Sequence, residues 1–312
     1  MGGAHRTTMQ TRRSFPPIES TEAFRARAER VTIATPDGAG VSGRLFHPEG
    51  PPRAAVLVAG GAAIRQRFYQ GFAEALAAQG IAAMTVDYRG IGDSMYAHPA
   101  PTMSGWATDI SAALDHLRGR VDAPVFYVGH SFGGQALGLL PEPNARIAGA
   151  VLVAAQSGFV GHWPWPSRLW IGAVMYGVLP VTAKVLGRVP GWLGLGEDMP
   201  GGAAREWAAW CRHPGYTTEA LPHPRLTYGS FRGEILALSF PDDAYAPRPA
   251  VDALLGFFRN AEVEHRVIAP ESVPQKKIGH FAFFRRSSSA LWAPVVDWIS
   301  ARADAHGMAQ AA

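Results

Sequence analysis

The sequence has a single cysteine, Cys211. No intrachain disulfide can form, and no cysteine-based zinc site can be assembled. Charge is scarce as well. Asp, Glu, Lys and Arg make up 17% of the chain, against about 25% in an average soluble domain. Lysine is nearly absent, with three against 26 arginines. The net charge of +4 is a weak excess and is not gathered into a stripe, so no nucleic-acid partner is expected. The longest apolar run free of charge, Leu169–Ala183, has 15 residues and contains Pro180. A bilayer span takes about 20, so no stable membrane insertion is expected. The first 28 residues are polar and Arg-rich and lack the apolar stretch of a secretory signal. They read as a disordered lead-in, with Met9 an alternative start, and a cytoplasmic location is the expectation. There is no His-Glu-x-x-His pair, EF-hand loop or P-loop. His162, His213 and His223 lack partners at metal-ligand spacing. Neither a metal nor a cofactor is expected.

What the chain does have is apolar material: 47% of its 312 residues are hydrophobic and 10% aromatic. That is ample for a large core and excludes wholesale disorder. The 35 Gly and 25 Pro follow no period, which excludes collagen-like and solenoid chains. The length fits two domains or one α/β domain with an insertion.

The order of segments favours the second. Val31–Thr35 and Val41–Phe46 flank the turn Pro36-Asp37-Gly38 and predict a hairpin. Ala54–Val58, Ile81–Val86, Val125–Val128 and Ile147–Ala154 are continuous apolar runs. Between them lie helical patterns, with Phe68, Phe72 and Leu76 in one and Trp106, Ile110, Ala113 and Leu117 in the next. Alternating strands and helices of this kind predict an α/β fold, a mostly parallel central sheet flanked by helices. Between about 155 and 223 the alternation breaks. Six of the nine tryptophans fall there, and the stretch predicts a helical cap over residues 156–224. The pattern resumes with Glu234–Phe240, a helix over Ala250–Phe258, the strand Glu264–Ile268 and a final helix at about Ser288–Ala301. The core is therefore expected to be 29–155 with 225–303, followed by a flexible tail, 304–312.

Chemistry concentrates at Gly129-His130-Ser131-Phe132-Gly133. This G-x-S-x-G sits between an apolar strand and a helix, the setting of a nucleophile elbow. The tight turn strains the serine backbone and projects its hydroxyl at a helix start, where a developing anion is favoured. A serine nucleophile needs a base, and the base needs an orienting acid. The acid is expected after the strand Glu234–Phe240, where Asp242 and Asp243 are adjacent. His280 is the expected base. His265 lies inside a predicted strand and is badly placed for the role. Two backbone N–H groups must face the oxyanion. Phe132 supplies one; the Gly60-Gly61-Ala62-Ala63 loop supplies the other, with Gly61 first and Ala62 second.

With these segments in place the chain resembles an α/β-hydrolase of the serine-hydrolase type. More narrowly it is similar to a poorly characterised bacterial subfamily, serine aminopeptidase- or esterase-like. The resemblance spans roughly 29–303. It rests on Gly60–Ala63 with Gln66, Phe68, Tyr69, Phe72 and Ala73; Asp87–Ser94; Gly129–Gly134; Glu206-Trp207 and Trp210–Arg212; Asp242-Asp243 with Pro247; and Gly279–Phe281 with Phe284-Arg285. Pro247, four residues beyond Asp243, is placed as in many of these hydrolases and implies Asp243 as the triad acid. One departure stands out. The oxyanion loop begins Ala59-Gly60, where many relatives of the wider superfamily carry His-Gly. The backbone donor survives that change, but a side chain that braces the loop does not.

The expected activity is hydrolysis of a carboxylic ester, thioester or amide through Ser131, His280 and Asp243. The Trp-rich cap suggests a small-molecule substrate with an apolar acyl or alkyl group. Ala62, Tyr69, His130, Trp163 and Trp207 are candidate substrate contacts, although Tyr69 fits packing equally well. Arg89 reads either as a substrate contact or, preferably, as a structural arginine paired with a carboxylate. Two other readings stay open: an acyltransferase using the same acyl-enzyme, and a non-catalytic member of the fold that binds a small ligand. The oligomeric state is not legible.

Overall fold

Strand β4 (Ala54–Ala59) is buried along its whole length, as a strand covered by helices on both faces has to be. Its alternate side chains feed opposite cores. Ala55 and Leu57 join Met84, Trp106, Ile110 and Phe132 on one face of the sheet. Val56 and Val58 join Phe72, Phe126, Trp298 and Ile299 on the other. The structure, a computed structural model, describes residues 5–10, 27–95, 100–193, 196–221 and 226–311.

The remaining strands are β1 (His5–Gln10), β2 (Arg27–Ala34), β3 (Gly40–His47), β5 (Ile81–Val86), β6 (Val125–His130), β7 (Gly149–Val153), β8 (Arg188–Val189), β9 (Met199–Pro200), β10 (Glu234–Ser239) and β11 (Glu262–Ile268). Nine form one sheet in the order β1-β11-β10-β7-β6-β4-β5-β3-β2. The β2–β3 and β3–β5 pairs are antiparallel. From β5 to β1 every pairing is parallel. The helices Gln70–Ala78, Met103–Arg118, Phe132–Ala136 and Arg248–Phe257 provide crossovers or cover. Thr102 caps the second of them by accepting from the Gly105 amide at 2.9 Å, which satisfies one of the donors a helix start leaves open.

Strands β7 and β10 are neighbours in the sheet, yet 80 residues of chain separate Val153 from Glu234. That insertion holds the helical segments Ser167–Ala173, Val174–Val178 and Leu179–Leu186, the helix Gly201–Trp210, and the β8–β9 ribbon.

Three expectations need correction. Within the segment expected to be disordered, His5–Gln10 is a strand parallel to β11, and β2 begins at Arg27; residues 1–4 and 11–26 lie outside the described residues. The Thr7-Thr8 pair suits a strand, but pairing with a partner more than 250 residues away is not visible locally. The segment expected to be a flexible tail is helical through Ala311, as the continuation of the helix Ala293–Ala311; Pro294 lies in the first turn of that helix rather than its interior, where its missing N–H costs nothing. The third concerns length. The charge-free run has 15 residues, but the helix containing it runs Ser167–Leu186, 20 residues, long and apolar enough to cross a bilayer by length and composition.

Candidate active site

Ser131 sits between β6 and the helix Phe132–Ala136 with φ 51° and ψ −113°, a conformation a non-glycine residue holds only when its surroundings impose it. They do so here. A Cβ on Gly129 would lie 2.6 Å from the Gly134 nitrogen, and one on Gly133 would overlap the Ala59 carbonyl. Strand and helix therefore approach closely enough to present the Ser131 hydroxyl at the helix start.

His280 Nε2 lies 2.9 Å from Ser131 Oγ. Its Nδ1 lies 2.7 Å from Asp243 Oδ2. The other oxygen, Asp243 Oδ1, accepts from the Tyr245 and Ala246 amides at 2.8 and 3.0 Å. Both carboxylate oxygens are thus partnered in a side chain with no exposure. Asp242 serves the loop instead. Its Oδ2 accepts from the Ile278 amide at 2.8 Å and pins the segment leading to His280. An aromatic group holds that segment from below. Phe284 packs edge-on against Tyr69 and Phe72, and Trp292 donates to the Phe283 carbonyl at 2.6 Å. Each aromatic pair contributes about 0.5–1.5 kcal/mol beyond area burial.

The expected oxyanion donor is corrected. The Gly61 amide donates to the Tyr69 hydroxyl at 2.7 Å and so turns into the protein. Ala62, one residue on, lines the cavity that holds Ser131 and Phe132. Tyr69 and His130 are not substrate contacts either. Both are buried, and neither lines that cavity. Burial pushes the Tyr69 phenol up, so it stays protonated and donates to His130 Nδ1 at 2.8 Å. His130 is held down to about 3 by burial first and by neighbouring His280 second. As a neutral imidazole with Nδ1 accepting, it donates from Nε2 to the His280 carbonyl at 2.8 Å. One chain of hydrogen bonds therefore runs from the Gly60–Ala63 loop through Tyr69 and His130 to the backbone of His280. It provides the brace that the Ala59-Gly60 departure removes.

Ser131 opens into a cavity of about 270 Å³ between the sheet edge and the insertion. Ala62, Trp163 and Trp207 are in its wall, joined by Ile171, Val174, Met175 and Leu179 of the helix Ser167–Leu186. Trp163 also donates to the Ala244 carbonyl at 2.9 Å and ties the insertion to the Asp243 loop. Among the described residues the wall contains no Asp, Glu, Lys or Arg.

Residues 50–205, half of the chain, match the serine aminopeptidase S33 family. The chain belongs to this family. It is a serine hydrolase of the α/β-hydrolase fold. No curated protein matches it. Solved structures show the same fold at low identity. DcsB, determined with a substrate analogue, is 16% identical with a TM-score of 0.63, covering 89% of this chain and 99% of that one. A protein from Agrobacterium vitis S4 is 16% identical with a TM-score of 0.60, covering 88% and 99%. The esterase EaEST from Exiguobacterium antarcticum is 16% identical with a TM-score of 0.59, covering 87% and 99%.

In this hydrolase Arg89 is structural. It is buried and bonded to Asp109 at 2.8 Å and to Asp37 at 2.6 Å. His265 lies in β11 and contacts Ser239 Oγ at 2.7 Å. Cys211 is buried in the cavity wall, and burial pushes its thiol up and away from the reactive thiolate. Among the described residues no group of three or more His, Cys, Asp or Glu is arranged to hold a metal; His223 lies outside them. The sequence reading missed a polar chain in the cavity. Tyr216 donates to Gln135, Gln135 to Gln156, and Gln156 to the Tyr245 carbonyl, at 2.7, 2.9 and 3.1 Å. Gln135 stands four residues after Ser131, one helical turn on, and that spacing was the available signal.

Proposed function

We propose that this hydrolase cleaves carboxylic esters with a small apolar acyl or alkyl group through a Ser131–His280–Asp243 triad. The observation that carries the reading is the unbroken hydrogen-bond chain from Ser131 Oγ through His280 to a buried, fully partnered Asp243, opening into an apolar cavity. Ser131 attacks the carbonyl carbon as His280 Nε2 takes its proton. The amides of Phe132 and Ala62 stabilise the oxyanion, and removing such a donor costs about 10²–10³ in rate. Collapse expels the alcohol, protonated by His280, and leaves an acyl-enzyme. His280 then activates water, and a second collapse frees Ser131. Asp243 keeps the imidazole proton on Nδ1 and stabilises the cation formed in each half-reaction. Neutral His130 matters here, because its ring centroid is 5.1 Å from that of His280, and a second cation there would oppose protonation of the base.

The lining supports an ester over a peptide with a free amino terminus. Such a peptide brings an ammonium group, and the described wall offers it no carboxylate. At about 270 Å³ the cavity falls just below the range for small-molecule sites, about 300–1,000 Å³, so short acyl chains are favoured. The test is labelling by a fluorophosphonate with Ser131→Ala and His280→Ala as controls, then turnover of p-nitrophenyl esters of graded chain length. Labelling lost in both variants, with activity highest on short esters, is expected. A folded wild type that does not label refutes the triad.

A further inference from the structure

We propose that the outer face of the helix Ser167–Leu186 docks on an anionic lipid surface. The helix has two faces with different employment. Met175, Leu179 and Ala183 are buried and turn inward, while Leu169, Tyr176, Val181 and Val185 are 57%, 56%, 59% and 73% exposed; Trp170, 69% exposed, stands between the two faces and also lines the Ser131 cavity. Trp165, just before the helix, is 74% exposed, and Trp192, on the turn that follows it, is 82% exposed. Single exposed apolar residues are ordinary; a contiguous group of this size marks a surface that meets an apolar partner. A groove lined by Trp165, Leu169, Gly172, Ala173 and Tyr176 runs along the same side.

Charge identifies the partner. The helix contains no acid, and its two charged residues, Arg168 and Lys184, stand near its ends. Arg205 reaches the Ala183 carbonyl at 3.5 Å, and the Arg212 guanidinium lies 5.7 Å above the Tyr176 ring. Among the described residues none of these four cations is in an ion pair, whereas Glu197, Asp198 and Glu206 are already partnered by Arg65, Arg188 and Ser104. An apolar strip fringed by tryptophans and unpaired cations is the composition that seats in the headgroup region of an anionic bilayer. A two-fold pairing of copies through this strip would instead set like charges against each other. The helix lies on the bilayer and does not cross it. Its length would suffice, about 30 Å for 20 residues, but its inner face forms the wall of the Ser131 cavity and packs on the core.

The test is flotation of the full chain with vesicles of phosphatidylcholine alone and of phosphatidylcholine mixed with phosphatidylglycerol. It requires no chemistry at Ser131, so its failure and that of the hydrolase reading are distinguishable. Wild type is expected to float with the mixed vesicles and less with the neutral ones. Val181→Glu/Val185→Glu, at two positions outside the cavity lining, is expected to lower binding to mixed vesicles about tenfold or more. Arg168→Glu/Lys184→Glu is expected to abolish the preference for the mixed vesicles. Unchanged circular dichroism and melting of both variants keep the comparison valid. A wild type that stays at the bottom with both vesicles overturns the proposal, as does a Val181→Glu/Val185→Glu variant that floats like wild type. A wild-type dimer dissociated by the same pair, with no flotation, overturns it in favour of a second copy.

Discussion

Replacing Asp243 by Asn separates the two adjacent aspartates and has an outcome that the hydrogen-bond map fixes. Asp243 Oδ1 faces two N–H donors, from Tyr245 and Ala246, and Oδ2 faces His280 Nδ1. An asparagine at this position has one acceptor to place. Turning its NH₂ toward the two amides would set donor against donors and leave both unpaired in a buried site, at about 1–3 kcal/mol each. The carbonyl therefore goes to the amides, and the NH₂ goes to His280. A donor facing Nδ1 forces that nitrogen to accept, which moves the imidazole proton to Nε2. The Nε2–H then points at Ser131 Oγ and cannot take its proton. A wrong tautomer with otherwise intact geometry costs about 10⁴ in kcat, equivalent to about 5.5 kcal/mol of transition-state stabilisation.

Asp242→Asn is the control. Asp242 accepts one hydrogen bond, from the Ile278 amide, and its residue is exposed. The asparagine carbonyl can accept the same bond with its NH₂ in solvent, so kcat/KM is expected within about threefold of wild type. The assay is steady-state hydrolysis of a short p-nitrophenyl ester, with melting curves to equalise the folded fraction. An Asp243→Asn enzyme retaining a tenth of wild-type kcat would refute the assignment, and a loss confined to Asp242→Asn would transfer the acid to that residue.

Other outcomes follow from the same contacts. Tyr69→Phe removes the partner of both the Gly61 amide and His130 Nδ1, so stability should fall by about 1–3 kcal/mol and kcat by about 10–100-fold as the oxyanion loop loses its brace; unchanged kcat at equal folded fraction would separate the hydrogen-bond chain from catalysis. Arg89→Met strands Asp109, whose side chain is fully buried, and should cost about 3–5 kcal/mol by urea unfolding with the kcat/KM of the folded enzyme intact; a selective loss of kcat/KM would make Arg89 a substrate contact after all. Two buried histidines make the fold acid-sensitive: burial holds His130 down to about 3 and His265 to about 4, against about 6.5 unfolded. Below pH about 6.5 the unfolded chain binds protons that the folded one refuses, so their stabilisation is present above that pH and is lost toward pH 3–4, with a slope up to about 1.4 kcal/mol per pH unit for each group. Urea midpoints measured from pH 7 to 4 test this, and His265→Gln should flatten the slope; an identical slope in that variant would exclude His265.

How far the sequence could be read follows the range over which each feature is determined. The strands β4 to β7, with β10, are legible because a parallel strand buried on both faces has to be continuously apolar. The proposed order of nucleophile, acid and base could be read because Ser131, Asp243 and His280 each come after a strand, β6, β10 and β11. The helix Ser167–Leu186 could not, for two reasons. Counting residues between charges stops at Lys184 although the helix does not, and Pro180 argues for a break. The break does not occur because Val174–Val178 is a π-turn and Pro180 lies in the first turn of the α-helical segment beyond it, where the shifted hydrogen-bond register tolerates a residue with no N–H.

The proposed oxyanion donor shows the limit at its sharpest, since Gly61 and Ala62 are neighbours and the Gly61 amide is already bonded to Tyr69. Successive amides on an extended or turning backbone point in different directions, so composition cannot choose between them. Here the choice is made by Tyr69, eight residues on, whose hydroxyl captures the Gly61 N–H. That hydroxyl is held in turn by His130, the residue before the nucleophile, which also grips the His280 carbonyl. Read locally, His130 is an unspecified residue inside G-x-S-x-G, and Tyr69 is an aromatic near a loop. Their joint role exists only once the loop after β4, the end of β6 and the His280 loop meet at one edge of the sheet. There a neutral, buried imidazole can receive from one side and donate to the other, tying together the Gly60–Ala63 loop and the His280 segment, the proposed seats of the oxyanion donor and the base, through a single side chain.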